Sequence, residues 1–147
     1  MATVNWEAFT ERADLIPTGL DNLADTTLSV ASAVLDNGAN LDTHCIVEVE
    51  LDSVTHVSPA YLEIYMIKAL DGSTYEEAPV IGGTDRNTLI ATIPVPAGAG
   101  ARIVTSGLIT LPPCPVKFYV GNQCGVTFNN STPTNKLNVH TANLASA

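Results

Sequence analysis

Charge is scarce in this chain. Asp, Glu, Lys and Arg make up 14% of its 147 residues, against about a quarter in an ordinary globular domain. Basic residues are scarcer still, six against fifteen acidic ones for a net charge of -9. A surface of that sign repels phosphate backbones and anionic headgroups, which disfavours nucleic acid and membranes as partners. Aromatics amount to 5%, with a single Trp, which counts against the exposed aromatic platform that a sugar site usually offers. No apolar run reaches the roughly 18 residues of a membrane-spanning helix, and the N-terminus lacks a basic stretch followed by an apolar one. Soluble synthesis in the cytoplasm is the expectation. The three cysteines, Cys45, Cys114 and Cys124, are odd in number and lack a CxxC spacing, so neither a disulfide framework nor a zinc site is signalled. They read as buried free thiols, with pairing of Cys114 and Cys124 across a sheet as a minor alternative.

What the chain has is 46% hydrophobic residues with abundant Thr, Asn, Ser, Gly and Pro. That profile suits a β-rich structural protein, and the length suits one domain burying roughly two thirds of its unfolded surface. Residues 1–25 read as an extended N-terminal arm, in which Asn5 caps a short helical turn carrying Trp6, Phe9 and Ala13 and ended by Pro17. Such an arm docks on a neighbouring subunit or folds over its own domain.

From Thr26 onward the hydrophobic period is two. Residues 26–35 form a Ser/Thr/Ala/Val-rich segment ending in the Asp36-Asn37-Gly38 turn signal. Residues 44–54 place Cys45, Val47, Val49 and Leu51 on one face and Glu48, Glu50 and Asp52 on the other. Residues 61–69 put Leu62, Ile64 and Met66 inward before a turn at Asp71-Gly72. Residues 88–95 alternate Leu89, Ala91, Ile93 and Val95, and a flexible Ala97-Gly98-Ala99-Gly100 turn leads to a strand over 102–111. Then comes Leu111-Pro112-Pro113-Cys114-Pro115, a stiff corner feeding Val116, Phe118 and Val120. A Gly121-Asn122 turn would reverse that strand into 126–128, and residues 136–140 add a last one. About eight short strands at this spacing predict an all-β fold: an antiparallel β-sandwich, jelly-roll-like, over residues 26–147 behind the arm.

Chemistry is poorly represented. His44, His56 and His140 are widely separated and lie in no catalytic or metal-binding motif, so each reads as a solvated or strand-end histidine. Ser106-Gly107 lacks the flanks of a nucleophile elbow, and Gly82-Gly83-Thr84-Asp85 lacks the lysine of a phosphate loop. Asp71, Ser73 and Glu76 resemble the start of a calcium loop, but Asp-Gly is first a turn. Glu48, Glu50 and Glu63 read as solvated sheet faces rather than one acidic site. No catalytic residue, metal or cofactor is expected, and the chain is not expected to be an enzyme.

Three blocks carry a family resemblance over residues 35–128. Leu35-Asp36-Asn37-Gly38-Ala39-Asn40-Leu41-Asp42 is similar to the "DN-x-x-N-L" turn of small tailed-phage virion structural proteins. Leu62-Glu63-Ile64-Tyr65-Met66 with Asp71-Gly72-Ser73-Thr74-Tyr75 resembles their "ELYLLP…DGTNY" segment. Leu111 to Phe118, with Asn122 and Gly125, resembles their "LPP-x-P-F-K-F…N-x-T-G" block. Two departures stand out: Cys114 replaces a larger apolar residue, and the tail after Phe128 is longer and Asn/Thr-rich.

The resemblance implies a capsid decoration, or cement, protein on the virion exterior that binds the assembled shell and bridges major capsid protein subunits. Trp6, Phe9, Pro112, Pro113 and Pro115 are the expected contact residues, since rigid and aromatic groups anchor interfaces. Closed symmetry makes a homo-oligomer, dimer or trimer, the expected form. The alternative is a tail- or fibre-associated module presenting residues 84–87 or 123–125 to a host glycan or protein.

Overall fold

In the computed structural model, residues 4–16, 19–81, 88–130 and 135–146 are described. Their strands in chain order are β1 (Val4–Trp6), β2 (Thr10–Ile16), β3 (Leu35–Asp36), β4 (His44–Leu51), β5 (Tyr61–Lys68) and β6 (Leu89–Pro94). There follow β7 (Arg102–Thr105), β8 (Ile109–Thr110), β9 (Pro115–Gln123), β10 (Lys136–Ala142) and β11 (Leu144–Ser146). A single helical turn, α1 (Asn37–Asn40), interrupts them.

Two antiparallel sheets face each other. The first has the order β2-β10-β4-β7, with β8 also on β4; the second has the order β3-β9-β5-β6. Alternation decides which side of each strand is apolar, and the two apolar sides meet. Cys45, Val47 and Val49 of β4 with Leu137 and Val139 of β10 form one wall, and Leu62, Ile64, Val116, Phe118 and Val120 of β5 and β9 form the other. The protein is an antiparallel β-sandwich, as its sequence pattern predicts.

Residues 10–16 are a strand rather than a helical turn, paired to β10 through Arg12↔Val139 and Glu11↔His140. The spacing of Trp6, Phe9 and Ala13 suggests a helix, but an open sheet edge offers every backbone group a partner, which a short isolated helix cannot match. Leu15, Ile16, Leu20 and Leu23 join the common core, so this part of residues 1–25 packs on its own chain.

Serine hydroxyls close the ladder where strands stop being regular. Along residues 26–35 the Ser29 N–H donates to the Val120 carbonyl and its Oγ accepts the Val120 N–H, both at 2.9 Å. Ser32 repeats the exchange with Phe118 at 2.9 Å in each direction. Ser106 does the same with Val47, donating at 2.8 Å and accepting at 2.9 Å. Each hydroxyl then donates to the carbonyl of the following residue, Val30, Ala33 or Gly107. Ser106 thereby splits the expected strand over 102–111 into β7 and β8.

The Gly121-Asn122 turn expected from sequence is absent: both residues continue β9, where Gly121 pairs with Glu63 and Asn122 with Leu62. Asn122 is fully buried, with its Nδ2 donating to the Leu23 and Val126 carbonyls and its Oδ1 accepting the Cys124 N–H. The chain turns only at Gly125, at φ +72°. Residues 126–128 form no strand; Phe128 instead enters the core.

Candidate docking end of the sandwich

One end of the sandwich gathers the residues singled out from sequence. Asp36 caps α1 by accepting the Gly38 N–H at 3.1 Å, and Leu41 closes the turn at φ +55°. Asn37, 1% exposed, donates its Nδ2 to the carbonyls of Asp42 at 2.8 Å and Pro112 at 2.7 Å, while its Oδ1 accepts the Asp42 N–H. That side chain ties the first resemblance block to the proline corner of the third. The second block is adjacent too: β5 pairs with β9 along its whole length, and the Ala69 N–H donates to the Pro115 carbonyl at 3.0 Å.

Pro112 and Pro115 are half-buried and Pro113 is exposed. Around them the end presents Leu41, 57% exposed, and Leu70, 78% exposed. The end of β10 reaches the same place, because it finishes opposite His44, and Asn143 binds the Thr43 N–H and the Asp42 carboxylate. The β1/β11 ribbon continues from there, with Trp6 opposite Leu144. Phe9 lies next to it, 42% exposed. Trp6 is placed by its backbone; its side chain lies outside the described residues.

The turn beyond Leu70 is built by Asp71, whose Oδ1 accepts the Ser73 and Thr74 N–H groups at 2.8 and 2.6 Å. Those bonds hold its carboxyl down at about 2. Gly72, at φ +83°, supplies the left-handed step. Tyr75 then lies under the Lys117 ammonium, 4.3 Å from its ring centre. Asp71 and Glu76 therefore serve a turn and the Lys68 ion pair rather than one cation. Among the described residues no group of three His, Cys, Asp or Glu converges on a metal position, and no helix is long and apolar enough to cross a membrane.

The histidines divide. His44 and His140 stand on the outer face of β4 and β10, His140 with its Nε2 3.6 Å from Glu48. There Asn138 donates to both Glu48 and Glu50, and Lys136 reaches Glu50 at 3.0 Å. Glu63 belongs to the other sheet, so the three glutamates form no common acidic face. His56 departs from the solvated reading: it is 2% exposed, in edge contact with Phe128, and neither ring nitrogen has a hydrogen-bond partner among the described residues. Burial, then the nearby Arg102 charge, lowers its pKa. Sequence gave no sign of this, since no apolar periodicity surrounds residue 56.

Cys114 and Cys124 are buried free thiols at opposite ends of β9, about 30 Å apart at the rise of a strand, which removes the pairing considered from sequence. Burial raises Cys45 to about 12 and Cys124 to about 11. Ser106 is committed to the Val47 ladder and forms no nucleophile constellation with a histidine among the described residues. Residues 82–87, which include the glycine pair and the expected recognition loop, lie outside the described residues.

The fold class is that of two-sheet antiparallel sandwiches with jelly-roll character. No protein-family model matches the chain, and no curated protein does. Among solved structures it is similar to a β-1,3-glucan-binding CBM6 from Bacillus halodurans, at 13% identity and a TM-score of 0.38, over 95% of this chain and 87% of that one. It is also similar to a glycoside hydrolase family 43 arabinoxylan arabinofuranohydrolase from Bacillus subtilis, at 15% identity and a TM-score of 0.35. The match covers 95% of this chain but 24% of that one. These likenesses concern the fold alone.

Proposed function

We propose that the protein is a non-enzymatic virion structural protein of a tailed phage that decorates the outer surface of the capsid. Docking of its proline-cornered end onto major capsid protein subunits would stabilise the contacts between them. The observation that carries this reading is the convergence of Phe9, Leu41, Leu70 and Pro113 with the β1/β11 ribbon at one end. The three blocks resembling phage virion proteins also meet there, joined by Asn37.

The mechanism is linkage. A ligand that binds only the assembled lattice lowers the free energy of that lattice, and a dimer or trimer engaging several sites multiplies a modest affinity. Rigid prolines and a clipped turn lose little conformational freedom on docking, which favours them as anchors. The net charge of -9 would keep a decorated particle dispersed.

Co-sedimentation with undecorated shells of the cognate capsid protein tests the reading. Saturable binding at a fixed ratio to lattice positions is expected, lost in Leu70→Asp and Pro113→Asp variants that melt like the parent. Trp6→Ala is expected to weaken attachment or oligomerisation more than it lowers the melting temperature. Absence of shell binding overturns the assignment.

A further inference from the structure

We propose that the open edge of β7 is a pairing surface for a second copy of this chain, the two joined antiparallel about a two-fold axis into one continuous sheet. Register decides which backbone groups are available. The Ser106 N–H donates to the Val47 carbonyl, and β7 pairs with β4 through Leu51↔Arg102, Glu50↔Ile103, Val49↔Val104 and Glu48↔Thr105. In an antiparallel ladder every second residue bonds the same neighbour, so Arg102, Val104 and Ser106 turn their N–H and carbonyl groups toward β4. Ile103 and Thr105 turn theirs outward, where they find no hydrogen-bond partner among the described residues. Their side chains are exposed too, Ile103 at 68%.

The other edges are closed or guarded. On the opposite long side, residues 26–35 strap both sheets, through Ser29 and Ser32 to β9 and through the Ala33 N–H to the Leu15 carbonyl of β2 at 2.8 Å. β6 lies beside β7 and points Thr92 outward, but Pro94 has no N–H, and Ile90 is an extra residue between the Ile64↔Ala91 and Tyr65↔Leu89 pairs. Prolines and bulges block strand addition, and β7 has neither. Its one charge is turned aside: the Arg102 guanidinium donates to the carbonyls of Ala99 at 2.9 Å and Ala101 at 3.1 Å.

Charge selects the occupant. All fifteen acidic residues precede residue 86, and residues 88–111, which build β6, β7 and β8, carry Arg102 as their single charge. Two chains of net charge -9 repel across most of their surfaces, but at this edge neither brings a carboxylate on the contacting strand. Glu48 and Glu50, one strand behind, are held toward β10 by Asn138 and Lys136. A two-fold makes the edge self-complementary: Ile103 of each copy lies opposite Thr105 of the other, both outward residues exchange N–H and carbonyl bonds, and the two Ile103 side chains approach diagonally. Once paired, the edge accepts no further strand. Antiparallel pairing turns the two proline-cornered ends in opposite directions. The dimer is therefore a form of the free chain, separate from any oligomer that grips several shell sites, and the inference rests on no part of the shell reading.

Sedimentation velocity of the full chain over a concentration series, with amide exchange read at its dilute and concentrated ends, tests it. A reversible species of twice the chain mass is expected, with the Ile103 and Thr105 amides slowing as it forms and the outward Thr92 amide of β6 unchanged. Ile103→Lys, at an exposed side chain, and Thr105→Pro should each raise the dissociation constant by about tenfold or more while keeping the parent's far-UV spectrum. Leu70→Asp at the docking end should leave the dimer intact. A chain that stays monomeric throughout, a dimer that Ile103→Lys preserves, or protection of Ile103 and Thr105 only when capsid protein is added overturns the proposal. Shell co-sedimentation of Ile103→Lys is expected to match the parent, so failure of the shell reading and failure of the dimer are seen separately.

Discussion

Ser29, Ser32 and Ser106 each do the work of a backbone carbonyl. Replacing any of them by Ala strands a buried N–H on Phe118, Val120 or Val47, and an unsatisfied buried donor costs about 1–3 kcal/mol. Urea denaturation should show losses of that size, against less than about 0.5 kcal/mol for the exposed Ser53→Ala. His56 makes a different prediction. Its folded pKa lies below the ordinary 6.5 because of burial and Arg102, so the unfolded chain binds the extra proton first. Stability should accordingly fall as pH drops below about 6.5 and level off below the folded value. A His56→Phe variant should keep its stability at pH 8, since no ring-nitrogen hydrogen bond is lost, and should lose that part of the pH slope. Asp71 acts in the acid range: its lowered carboxyl contributes stability above about 4 that disappears as pH falls toward 2.

At the scale of elements, what could be read from the residues depended on which force builds each strand. β4 was legible because burial of one face imposes the two-residue period, and Cys45, Val47, Val49 and Leu51 keep it without exception; β5 shows that period through Ile64 and is then buried on both faces, at Tyr65 and Ile67 as well as Met66. Residues 26–35 only hinted at a strand, since their contacts to β9 run through hydroxyls rather than through an alternating apolar face. Gly121-Asn122 has the composition of a turn, yet Gly is there for close approach to Glu63 and Asn to satisfy buried carbonyls. Of the docking end, the prolines were legible as a stiff corner. Leu41 and Leu70 were not, because only the three-dimensional arrangement tells an exposed leucine from a core one. Two substitutions probe these elements. Gly121→Ala must displace Ile81 or the Glu63 stem, with a cost of about 1–3 kcal/mol, whereas Gly107→Ala meets no neighbour. Asn37→Ala removes three hydrogen bonds at the α1 turn and should lower both the unfolding midpoint and attachment to shells.

The whole molecule is a plate of two sheets with a clipped apolar end and no assembled set of catalytic groups among its described residues. Its cysteines are all buried, so a thiol reagent at neutral pH should label none of them before unfolding and three after it. In the proposed role the proline corner faces a shell and the Tyr61 end of β5 points away from it. A particle reconstruction tests that arrangement most directly. Sandwich density is expected on the outside of the capsid, with Leu41, Leu70 and Pro113 against the major capsid protein and the Tyr61 end of β5 pointing away from it. Density for the chain in the neck, tail or fibre, or contact with the shell through the Tyr61 end of β5, would overturn the proposed role.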